Sequence, residues 1–230
     1  MDDDEERPRR RRLPAEARRR LIVDAAREVF VEHGRAGGRL RDIAERAGIT
    51  EAYLYRYFTS KDELYHAAVH EPVERLITDF EAAVDELTTG GAVTGAELVR
   101  RLNEIMLGFM TAAVPYLGVA LFSDVAGEDA FYTSTLHPRV YGRTREVLAA
   151  IKGWPDRRVD LDVLNTTMWS LNYGIALDGL LRDVDVDVAW AAKRMTQLYL
   201  IGIPQFHPDR AGTAAPRPRR TARPASRPGR

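Results

Sequence analysis

Residues 40–50, "LRDIAERAGIT", set Leu40, Ile43, Ala44 and Ala47 at i, i+3, i+4 and i+7 and then stop at Gly48. That spacing gathers four apolar side chains on one face of a short helix, and a glycine just past its end supplies a left-handed terminating residue. Thr50 is a suitable N-cap for a second helix. The residues that follow, "EAYLYRYF", hold Tyr53, Tyr55 and Tyr57 at spacing two, which by itself signals a strand. A strand would put Arg56 on one face with Leu54 and Phe58. At about 100° per residue a helix instead pairs Leu54 with Phe58 toward a core and turns Tyr55 and Arg56 outward. Tyr53 and Tyr57 then lie at the boundary. The helix sorts the chemistry better, so a helix of two turns is expected here.

Helical patterns also flank this pair. A first helix is expected from Pro14, with Leu21, Ile22, Ala25, Ala26, Val29 and Phe30 inward and Gly34 as its end. Ser60-Lys61-Asp62-Glu63 has the spacing of a capping box and opens a fourth helix, with a kink at Pro72. Further helices are expected near 95–113, 115–125, 137–152, 159–181 and 186–202. Residues 105–122 carry no charge over eighteen positions, the length at which a membrane span becomes a candidate. Gly108, Pro115 and Gly118 interrupt the run, so two buried helical pieces broken at Pro115 are expected, with no membrane. The segment 159–181 is apolar on two sides, through Leu161, Leu164, Met168, Leu171 and Ile175 on one and Val163, Leu177 and Leu181 on the other. The segment 186–202 repeats this, so both are expected to pack on their own chain and on a second copy.

Charge is balanced overall, 34 basic against 34 acidic residues, so the total names no partner. Its distribution says more. Residues 7–20 hold eight arginines, and residues 208–230 hold seven against Asp209. Residues 1–13 are expected as a disordered arm and 204–230 as a disordered Arg/Pro-rich tail. The absence of cysteine excludes disulfides and thiolate chemistry. The opening "MDDDEERPRRRR" has no apolar core of a secretory signal, which fits a cytoplasmic protein. No Gly-rich phosphate loop, zinc signature or G-x-S-x-G elbow appears, so an enzyme and a bound cofactor find no support. His66, His70 and Glu74 share a helical face, but their residue types are ordinary for a surface and no metal site is expected.

A short helix, a glycine turn and a second short helix bearing aromatic and polar groups make a helix-turn-helix, the second helix entering the major groove. Arg39 and Arg41, with Tyr55, Tyr57 and Lys61, are placed for phosphates; Thr50, Glu51, Ala52, Tyr53 and Arg56 are placed for bases. The run "LRDIAERAGITEAYLYRYFTSKDELYHAAV" resembles the DNA-binding domain of the tetracycline-repressor (TetR) family, through Arg41-Asp42-Ile43-Ala44, Ala47-Gly48-Ile49-Thr50, Leu54-Tyr55-Arg56-Tyr57-Phe58 and Ser60-Lys61-Asp62-Glu63-Leu64. The resemblance covers about residues 15–66. It implies an all-α subunit, with a helix-turn-helix DNA-binding domain at 14–66 and a ligand-binding and dimerisation domain at 67–203. It also implies a homodimer on a double-stranded DNA operator, released by a small-molecule effector. Glu51 and Ala52 depart from the lysine and glycine the family often has, and Gly37-Gly38 replaces its usual threonine. Phe109, Met110, Tyr116, Phe122, Tyr141, Trp169 and Tyr173 are the candidate effector contacts. The rival is an all-α small-molecule-binding protein or enzyme with a degenerate helix-turn-helix.

Overall fold

A computed structural model describes residues 14–90, 95–122, 130–151 and 160–205. The arm at 1–13 lies outside the described residues, as does the tail expected at 204–230 except for residues 204 and 205, which are helical. Among those described there is no strand. The helices are α1 Ala15–Gly37, α2 Leu40–Arg46, α3 Glu51–Leu54, α4 Lys61–Tyr65, α5 Glu71–Thr89, α6 Gly95–Phe122, α7 Arg143–Ala150, α8 Leu161–Arg182 and α9 Val188–Gln205. Two π-helical segments join them: π1, His66–His70, links α4 to α5, and π2, Tyr132–Gly142, leads into α7.

The N-terminal helices follow the sequence closely. Ile22, Ala25, Ala26, Val29 and Phe30 of α1 are buried, as are Ile43 and Ala44 of α2. Gly34 leaves the helical region at φ 69°, and one further turn carries α1 on to Gly37. Pro14 is the cap and not the first helical residue. Gly48 has φ 64°, the left-handed turn between α2 and α3. The Thr50 side chain accepts from the Tyr53 amide at 3.2 Å. α3 proper is one turn, shorter than the two expected, and turns over Tyr55–Tyr57 complete it. The Ser60 hydroxyl accepts from the Glu63 amide at 3.0 Å. The return bond of the capping box is displaced by one residue: Glu63 accepts from the amide and hydroxyl of Thr59, at 2.6 and 2.7 Å.

Three expectations about the later helices need correction. Pro115 does not break the chain into two pieces; it lies inside the single helix α6. Ala113, Val114, Leu117 and Ala120 around it are all buried, and that burial on both sides outweighs the lost hydrogen bond. The helix expected from 137 starts five residues earlier, as π2. The helix expected to run from the capping box through Pro72 widens just before the proline into π1, in which the Glu71 amide reaches back to the His66 carbonyl. Widening the turn just before Pro72 lets the helix carry on past a residue without an amide donor.

α6 is long and apolar enough to cross a membrane by length and composition, and half of its most apolar window is buried in the chain. It packs against α1, α5, α8 and α9. Its charged residues Glu97, Arg100, Arg101 and Glu104 gather in its first turns and pair there with one another. The apolar core runs without a break from Ile22 in α1 to Tyr199 in α9.

Candidate nucleic-acid interface

α3 presents the face the helical angles require. Leu54 and Phe58 are fully buried, Tyr53 and Tyr57 are half-buried, and Glu51, Ala52, Tyr55 and Arg56 are exposed. Two buried anchors hold one short turn, so its outer side chains keep a fixed presentation. The Tyr53 and Tyr57 hydroxyls lie 3.2 Å apart, and this bond pushes the Tyr57 phenol above its usual range. The Arg56 guanidinium lies 5.3 Å from the Tyr53 ring centre.

The cations around α3 fall into two groups. Arg46 makes a bidentate pair with Glu32 at 2.8 and 2.9 Å, and Arg35 bonds Asp62 at 3.1 Å. These tie α1 to α2 and α4. Arg39 and Arg41 are exposed and make no ion pair among the described residues. Lys61 is engaged within the chain: its Nζ donates to the Ala36 carbonyl at 3.2 Å, leaving two of its three N–H groups.

Arg18 and Arg19 were not singled out from the sequence as contacts of this face. Arg19 stands 5.0 Å over the Phe58 ring, and Arg18 is near enough to pull the Tyr57 phenol back down. The arginine run at 18–20 was visible; that α1 carries it back against α3 was not. Arg9 to Arg12 of the N-terminal arm lie outside the described residues.

Gly38 explains one departure from the family pattern. A Cβ there would lie 2.7 Å from Cδ1 of Phe30, which is fully buried. The position takes no side chain without moving the core of α1.

The candidate effector contacts divide. Met110 and Phe109 are buried, Phe109 against Phe80 at 5.4 Å between ring centres. Tyr116, Tyr141, Trp169 and Tyr173 are half-buried. Tyr141 stacks on His137 at 4.7 Å, and its hydroxyl lies 2.7 Å from that of Thr166. The Phe122 side chain lies outside the described residues. An open cleft of about 580 Å³ runs past Thr111, Ala176, Gly179, Asp183 and Val186, and none of the six candidates whose side chains are described lines it.

Deeper, Asn103 of α6, Asn172 of α8 and Thr196 of α9 form a buried polar chain. The Asn172 amide donates to Asn103 Oδ1, and the Asn103 amide lies within bonding distance of the Thr196 hydroxyl, both at 3.2 Å. Asn172 Oδ1 and the Tyr199 hydroxyl are buried with no hydrogen-bond partner among the described residues, and burial pushes the Tyr199 phenol up. Asp178, the other polar group noted on this helix, is exposed and pairs with Arg182 at 3.2 Å. His66 lies 3.7 Å from Glu71 and 3.9 Å from Glu74, all on the surface beside π1. No group of three metal-ligating side chains occurs among the described residues.

Residues 22–68 match the family described as "Bacterial regulatory proteins, tetR family". That match runs from α1 to π1 and takes in the whole α2–α3 pair. It is 39% identical over 77 residues to the HTH-type transcriptional activator FasR of Mycolicibacterium smegmatis, covering 34% of this chain and 35% of that one. It is 33% identical over 109 residues to the HTH-type transcriptional regulator TtgR of Pseudomonas putida, covering 46% and 51%. The chain thus spans about a third to a half of the length of these relatives. The fold likeness is wider. A TetR-like transcriptional regulator from Rhodococcus sp. RHA1 superposes with a TM-score of 0.59 at 23% identity, over 84% of this chain and all of that one.

Proposed function

We propose that the chain is a cytoplasmic, dimeric, ligand-responsive transcriptional repressor, not an enzyme, whose α3 enters the major groove of a palindromic operator. The observation that carries this is the exposed face of α3, with Glu51, Ala52, Tyr55 and Arg56 outward, beside the unpaired Arg39 and Arg41. Arg39 and Arg41 meet phosphates and set the register; Thr50 and the outward residues of α3 meet bases. Tyr55 and Tyr57 offer hydroxyls to the backbone, and Lys61 has N–H groups to spare for it.

The dimer is supported by what α8 and α9 leave uncovered. Val163, Leu180, Leu181, Trp190 and Leu198 are 47–75% exposed on two consecutive helices that both pack against α6. Large apolar side chains grouped this way mark an interface, and a two-fold pairing of both helices covers them. An operator with two-fold symmetry follows from such a dimer.

The effector is a small apolar or aromatic molecule taken up by the domain at 67–203. Support comes from the buried Asn172 Oδ1 and Tyr199 hydroxyl, since an unpaired buried polar atom costs about 1–3 kcal/mol and a ligand group removes that cost. Phe109, Met110, Tyr116, Phe122, Tyr141, Trp169 and Tyr173 remain its proposed apolar surroundings.

The test is a mobility shift of the purified chain on the DNA upstream of its own gene, with an unrelated duplex as control. Retardation of the upstream fragment alone is expected. Equal or no retardation of both fragments would remove the regulator reading.

A further inference from the structure

The first residue of α3 raises a problem in electrostatics. The Glu51 side chain is exposed, and its carboxylate makes no ion pair or hydrogen bond among the described residues. Neighbouring acids are used within the chain: Asp62 holds Arg35, Glu63 holds Thr59, and Glu32 holds Arg46. An unpaired carboxylate on the side of the molecule that meets a polyanion opposes binding to every sequence equally. A helix-dipole role accounts for little of it. α3 is a single turn of four residues, and Thr50 already accepts from one of its amides.

The major groove offers a compensating partner. A carboxylate only accepts hydrogen bonds, so guanine O6 and N7 and thymine O4 repel it. Two base edges there donate: cytosine through N4 and adenine through N6. Adenine sets its N7 acceptor beside that donor, and cytosine does not. We propose that Glu51 selects cytosine at one position of each operator half-site, accepting a hydrogen bond from the exocyclic amine, and disfavours the other bases there. This rests on the DNA-binding reading above and adds a specificity to it. The anchors Leu54 and Phe58 fix the turn that carries Glu51, so a carboxylate at its first residue keeps one register on the base pairs.

The experiment is selection from a random duplex library by the purified full chain, read by sequencing, with Glu51→Ala and Glu51→Gln in parallel. The wild type is expected to favour cytosine by about tenfold at one position per half-site. Glu51→Ala keeps the rest of the site and loses that preference to within about twofold. Glu51→Gln moves the preference toward adenine, whose N6 and N7 match a side-chain amide. If all three proteins select the same site, Glu51 reads no base and the proposal is wrong, while DNA binding stands. If the wild type enriches no sequence, the DNA-binding reading itself fails and the proposal falls with it.

Discussion

The Tyr65 hydroxyl donates to the Val119 carbonyl at 3.2 Å, inside the core, and so joins the end of α4 to α6. The same ring meets the edge of Phe30 at 5.1 Å, which adds α1 to the junction. One side chain therefore ties the helix-turn-helix to the central helix of the remaining chain. Tyr65→Phe keeps the ring and removes the bond. A loss of about 1 kcal/mol in stability is expected by urea denaturation. An unchanged midpoint would mean that the bond contributes nothing to the fold.

Gly38→Ala adds one methyl group against the buried Phe30 ring at 2.7 Å. Overpacking of this kind costs about 1–3 kcal/mol. A lower melting temperature is expected, while Gly37→Ala, whose Cβ would meet only His33 Cβ at 3.4 Å, is expected to change it far less. Equal melting temperatures for the two variants would show that the α1–α2 corner has room to spare.

Acid should loosen the turn into α4. The hydroxyl and amide of Thr59 hold the Glu63 carboxyl below its ordinary value of 4.5. A lowered folded value stabilises the protein above that pH and the benefit is lost as pH falls through the folded value. Glu97 behaves likewise, held at about 2 by Arg100 and Arg101, so its contribution fades between 4.5 and about 2. Thermal melts of wild type and Glu63→Gln should differ at neutral pH and converge as pH drops below 4.5. A gap that widens on acidification would reverse the sign.

The uncovered faces of α8 and α9 make a prediction about mass. Leu181→Asp with Leu198→Asp puts charges where 75% and 60% exposed leucines now stand. Light scattering should give about twice 25.9 kDa for the wild type and 25.9 kDa for the double variant. A wild-type monomer at micromolar concentration would contradict the dimer.

What the sequence revealed depended on how local the physics was. Leu54 and Phe58 against Tyr55 and Arg56 were legible because one helical turn sorts them, and Thr50 and Ser60 because capping acts over three residues. Pro115 misled because the cost of a proline is local, whereas the burial of Ala113, Val114 and Leu117 that outweighs it is not. The π-helical segments had no signature: a bond to the fifth residue back differs from one to the fourth only in register. Asn103, Asn172 and Thr196 meet from three helices, 69 and 93 residues apart, and no spacing announces that. The contact of Arg19 with Phe58 was hidden for the same reason.

The central claim is that the α2–α3 face meets a duplex, and its most direct test is the salt dependence of binding. Arg41 is exposed and unpaired, so its loss should leave the fold intact. Fluorescence anisotropy with the upstream fragment, repeated across salt concentrations, gives the slope of log affinity against log salt. Arg41→Ala is expected to weaken binding to all sequences and reduce the magnitude of that slope by about 0.9, one phosphate contact. A wild type and variant with the same affinity and the same slope would contradict the assignment of this face to DNA.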